Sequence, residues 1–113
     1  MIDLIEHGMH TVGMNLRLIR ENNFEGLIEI IRERSEKRFG HVSGYLDDKA
    51  LRIILKNAAE SLEESSFFYW RIQDARDIYL HLGDPKKAEV LNKIIQKYEE
   101  IPTKQFNNTF NFY

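Results

Sequence analysis

Along residues 2–21, apolar side chains recur at Ile2, Ile5, Met9, Val12, Leu16 and Ile19. Steps of three and four put them on one side of a helix, so the spacing predicts a single amphipathic helix there. Gly8 and Gly13 each weaken it by about 1 kcal/mol relative to Ala. Tertiary packing must therefore hold it, and the glycines permit another backbone to approach closely. Asn22-Asn23 breaks the pattern, and Asn22 with Glu25 has the form of a capping box, with Asn in place of Ser or Thr. A second helix is predicted over 24–39, with Phe24, Leu27, Ile28, Ile31 and Phe39 inward and Glu29, Arg32, Glu33, Glu36 and Lys37 outward. Gly40 stops it.

Residues 40–47 form the one substantial interior loop, and Asp47 or Asp48 can start a third helix over 48–64. Its apolar face is Leu51, Ile54, Leu55, Ala58 and Leu62. Phe68, Ile72, Ala75, Tyr79 and Leu82 line a fourth helix, which Gly83 ends. Glu63-Glu64-Ser65-Ser66 separates the third helix from the fourth only weakly, so one long kinked helix is the alternative. Asp84 can cap a fifth helix, and Pro85 suits its first position, where no backbone N–H is needed. Ala88, Leu91, Ile95 and Tyr98, with Ile94 beside them, repeat the pattern until Pro102. Beyond it, Phe and Asn alternate in TKQFNNTFNFY, which favours extended backbone. The expected fold is all-α: a bundle of about five helices over 1–102 and an extended aromatic C-terminal tail over 103–113.

Composition narrows the function classes. The chain has 113 residues, enough for one domain with a real core, and it is 42% hydrophobic and 30% charged. A net charge of −2 supplies no overall field to draw it to nucleic acid or an anionic membrane. The absence of Cys excludes disulfides, thiolate metal sites and a Cys nucleophile, and it suits a reducing cytoplasm. No apolar run approaches the length of a membrane span, and MIDLIEHGMH lacks the basic-then-apolar form of a signal peptide. A cytoplasmic protein without membrane contact is expected.

Candidate chemistry is sparse. His7 and His10 lie three apart and could share a helix face, but neither H-E-x-x-H nor a Glu-x-x-His pair is present. Surface histidines are therefore expected, with no metal and no cofactor. The phosphate-cradling motifs G-x-x-x-x-G-K-[ST] and G-x-G-x-x-G are absent, as is the G-x-S-x-G nucleophile elbow. Arg32, Arg34, Lys37, Arg38 and His41 give a local basic bias, but Glu29, Glu33 and Glu36 lie among them, and a solvated mixed face is expected there.

Two stretches resemble known families. Tyr79-Leu80-His81-Leu82-Gly83-Asp84, followed by Ala88, resembles the turn of one tetratricopeptide repeat, in which an aromatic, Gly-Asp and a small residue let two helices pack closely. A single unit supports a helical hairpin and no repeat array. Arg76-Asp77-Ile78-Tyr79-Leu80-His81 resembles the Arg-polar-x-x-x-His motif of the HEPN family, all-α ribonucleases and toxin components. That resemblance implies metal-independent RNA cleavage in a cleft between two subunits. Arg76 would stabilise the transition-state phosphate, His81 would act as general acid or base, and Asp77 would orient the imidazole.

On helix geometry, Trp70, Asp74, Asp77 and His81 form a line on the side of the fourth helix away from its core stripe. A large aromatic among polar groups suits a partner surface or a homodimer contact. With no catalytic set beyond the HEPN-like motif, the favoured function is a small non-enzymatic regulator, inhibitor or immunity-type protein that binds another protein. Its expected surface combines Trp70, Asp74, Asp77 and His81 with Phe110, Phe112 and Tyr113.

Overall fold

The computed structural model describes residues 2–41, 44–64 and 69–99. Every element among them is helical: α1 (Ile2–Met14), α2 (Leu16–Arg20), α3 (Phe24–Phe39), α4 (Asp48–Glu64), α5 (Tyr69–His81) and α6 (Pro85–Glu99). The all-α expectation holds. The tail over 103–113, and the join between the third and fourth predicted helices, lie outside the described residues.

The first predicted helix is two helices. Asn15 leaves helical geometry at φ −128° and ψ 36°. Its side-chain amide donates to the Thr11 carbonyl at 2.8 Å, the kind of local bond by which Asn competes with the helix ladder. The apolar spacing continues across the break, which is why periodicity alone misses it. Past Asn15, the short α2 sends Ile19 into the core and sets Arg20 against α5. Asn22, at φ 56°, then takes the left-handed position that closes a helix, with the Asn23 N–H donating to the Leu18 carbonyl at 2.7 Å. The cap of α3 is Asn23, one residue later than the capping-box reading, and its Oδ1 accepts from the Gly26 N–H at 3.0 Å.

Other boundaries follow local chemistry. Asp47 Oδ1 accepts from the Ala50 N–H at 2.8 Å and starts α4. Gly83, at φ 77°, ends α5 in a Schellman turn, the Asp84 N–H donating to the Tyr79 carbonyl at 2.9 Å. Asp84 Oδ1 then accepts from the Lys87 N–H at 3.2 Å, with Pro85 as the first helical residue.

One core joins the helices, built on side chains such as Val12, Ile19, Leu27, Ile31, Ile54 and Ile78. At Gly8, α1 meets α4 so closely that an added Cβ would lie 2.6 Å from Ile54 Cδ1; at Gly13 nothing comes within 4 Å. Phe39, predicted inward, is largely exposed at the end of α3, its ring edge-on to His7 at 5.5 Å. Tyr79 is buried and donates to Glu63 Oε2 at 2.6 Å, while Lys87 pairs with Glu63 Oε1 at 2.9 Å, tying α4, α5 and α6 together. Burial and the Glu63 carboxylate push the Tyr79 phenol far above its ordinary pKa, so it stays a neutral donor. α6 packs chiefly against α5 and forms the edge of the bundle.

Candidate functional site

The broad buried face of α5 carries Ile72, Ala75, Ile78, Tyr79 and Leu82. On the other side of the helix run Trp70, Asp74, Asp77 and His81, as their spacing requires. This line is only partly open: α2 covers Asp74 and Phe24 of α3 stacks on His81, while Trp70 and His81 keep exposed surface. Asp74 is 1% exposed, and Arg20 grips both of its oxygens: Nε to Oδ1 at 3.1 Å and Nη2 to Oδ2 at 2.9 Å. The expectation that Asp74 helps form an exposed partner surface is therefore corrected: a fork-to-fork ion pair holds it inside the bundle. Periodicity could not foresee this, because the guanidinium comes from 54 positions away and from the far side of the Asn15 break.

His81 is stacked on Phe24, ring centroids 4.0 Å apart and planes within 3° of parallel. Burial, and secondarily the charge of Arg52, lower the imidazole pKa below its usual value of 6.5, so His81 is neutral at neutral pH. Asp77 is half-buried and pairs with Arg76 Nη2 at 3.1 Å. Asp77 and His81 both line a cleft of about 330 Å³, together with Ile19, Arg20, Asn22 and Leu80. Arg76 does not line it; its Nη1 donates to Asn92 Oδ1 of α6 at 3.0 Å. Five positions on one helix separate Arg76 from His81 by about 140° around the axis, so within one chain the pair does not converge. Arg20, which sequence reasoning passed over, is the guanidinium that reaches the cleft. Trp70 is 44% exposed at the end of the line. Phe110, Phe112 and Tyr113 lie outside the described residues.

A second surface emerges on α6. Val90, Ile94 and Tyr98 follow one another at intervals of four and stay exposed at 52%, 37% and 37%. Alongside them run Lys86, Lys93 and Lys97, within about 60° of Val90 on a helical projection. These lysines are exposed, and none pairs with a described carboxylate. The outward face of α6 is thus an apolar ridge in a positive border. Tyr98, expected on the inward stripe, belongs to this row instead, because it lies beyond the buried Ile95 at the end of α6; the row's signal in the sequence is the four-residue step from Val90 to Ile94.

Among the described residues, no group of three or more His, Asp or Glu side chains converges as a metal site would need. No described helix is long and apolar enough to cross a membrane. Comparison with protein families, characterised proteins and solved structures finds no match to this chain.

Proposed function

We propose that the protein works by binding another protein, as a small regulator or inhibitor, and that the outward face of α6 is its docking surface. The observation that carries this reading is the exposed Val90–Ile94–Tyr98 ridge on a helix whose inward face is already satisfied by α5. Apolar side chains in register along a helix suit the groove or helix face of a partner. The bordering Lys86, Lys93 and Lys97 fix the partner's chemistry: an apolar segment flanked by Asp or Glu, which the lysines would steer and orient. Trp70, at the far edge of α5, supports a second contact with a large partner but is not needed for the first.

Quantitative affinity capture tests this. Wild-type protein should retain a partner that the Val90→Glu/Ile94→Glu variant loses and Trp70→Ala keeps. Equal retention by the α6 variant, with loss in Trp70→Ala, would move the surface to α5 and overturn the assignment.

A ribonuclease acting across a dimer is the second reading. It draws support from Asp77 and His81 lining one cleft beside Arg20, with His81 held neutral as a general base requires. It predicts metal-independent RNA cleavage that Arg76→Ala and His81→Ala each eliminate. Intact RNA after incubation with pure wild-type protein would end it.

A further inference from the structure

On α3, most of the positive side chains turn away from most of the negative ones, Arg32 being the exception among the glutamates. At 100° per residue, Glu25, Glu29, Glu33 and Glu36 fall on the side opposite the buried Leu27, Ile31 and Ser35. Arg34, Lys37 and Arg38 fall on the flank next to α1. The mixed face expected from the sequence holds for Arg32 and the glutamates, while Arg34, Lys37 and Arg38 gather beside α1. Across the basic flank stands His7 of α1, and together these four side chains line a cleft of about 270 Å³ with no carboxylate in its wall.

The cations of this cleft are not spent on ion pairs. Among the described residues, no ion pair involves Arg34, Lys37 or Arg38; Glu21, Glu63, Asp74 and Asp77 pair with other cations, and Glu36 lies 4.0 Å from His41. Arg38 lies over the Phe39 ring at 5.5 Å, and the same ring meets His7 edge-on, so Phe39 braces two of the side chains that line the cleft. His7 also carries an unmet requirement. Its Nδ1 is buried without a hydrogen-bond partner, one of two such atoms among the described side chains. The other is Ser35 Oγ, on the helix that faces it. Burial, then the charges of Arg38, Arg34 and His10, lower the His7 pKa, which reports a positive field at the cleft.

We propose that this cleft between α1 and α3 is a binding site for a compact phosphate-type oxyanion, held by the forks of Arg34 and Arg38 and the ammonium of Lys37. Two guanidinium groups match the geometry of a tetrahedral oxyanion, and the cleft falls just below the roughly 300 Å³ at which pockets for drug-sized ligands begin. A long polyanion is disfavoured, since the glutamate side of the same helix and the net charge of −2 repel it. The site is independent of the α6 surface, and either can fail without the other.

The test is a titration with inorganic phosphate, and separately with phenyl phosphate, at constant ionic strength and neutral pH. NMR would follow the His7 ring and the Arg34 and Arg38 Nε–H groups. Saturable shifts at these three residues in the millimolar range are expected, with affinity lowered at least about tenfold in Arg34→Gln/Arg38→Gln. Lys37→Gln, which replaces an exposed side chain, should weaken binding less and serves as a second variant if the double variant folds poorly. Similar affinity for both probes would assign the site to the oxyanion itself; tighter phenyl phosphate would assign it to a phosphate ester. Absence of saturation with either probe, or full binding by the folded double variant, would overturn the proposal.

Discussion

On the side of α5 that meets α2, a carboxylate is enclosed: Asp74 is buried under the Arg20 fork, while His81, exposed on its outer side, lies flat over the buried Phe24. One helix away the arrangement reverses, and α6 leaves Val90, Ile94 and Tyr98 partly in solvent. Hydrophobicity alone would have sorted these residues the other way. The seam can enclose a carboxylate because a guanidinium travels in with it, whereas the α6 ridge keeps part of each apolar side chain in solvent, 52% of Val90 and 37% of Ile94 and Tyr98. A buried polar group thus points to an internal partner, and an exposed apolar row points to an external one.

Breaking the seam should give the largest effect. Arg20→Ala leaves the Asp74 carboxylate buried and unpaired, a change that costs about 3–5 kcal/mol in fully buried pairs. Arg20 is half-exposed, so solvent screening reduces the expected cost to about 2 kcal/mol. Thermal unfolding should then show a melting temperature roughly 5–10 °C lower. Arg20→Leu with Asp74→Leu should recover most of the loss, since both halves of the pair go together. The turn that presents α6 comes next: Gly83→Ala forces a Cβ at φ 77° and should cost about 1 kcal/mol by chemical denaturation.

The histidines give a smaller, pH-dependent signature. His7 and His81 both have folded-state pKa values below 6.5. Above that pH they are neutral in both states and contribute no pH dependence. As pH falls through 6.5, the unfolded chain takes up protons first, so stability falls until the folded-state values are passed. His7→Gln/His81→Gln should flatten the decline in melting temperature just below pH 6.5, and an unchanged slope would contradict it. The outer face of α6 should matter least to folding: Ile94→Glu should change stability by no more than about 0.5 kcal/mol. A loss as large as that of Arg20→Ala would show that the ridge is covered from within.

What the sequence made legible was local. Asp47, Gly83, Asp84 and Pro85 mark helix ends because each acts on backbone groups a few residues away, and the structure places them as expected. The line from Trp70 to His81 was equally legible as a line. Its surroundings were not, because Arg20 and Phe24 arrive from distant positions, by way of a break at Asn15 that keeps the apolar spacing intact. The HEPN-like motif shows the same limit. Arg76 and His81 satisfy a spacing rule along the chain, yet Arg76 turns to Asn92 and His81 to Phe24.

The docking role of α6 is tested most directly by a photo-crosslinking side chain placed at Ile94 and, separately, at His81, in cells that express the protein naturally. Binding through α6 predicts one dominant adduct from position 94, mapped to an apolar segment flanked by Asp or Glu, and little from position 81. A specific adduct from position 81 with none from position 94 would contradict it.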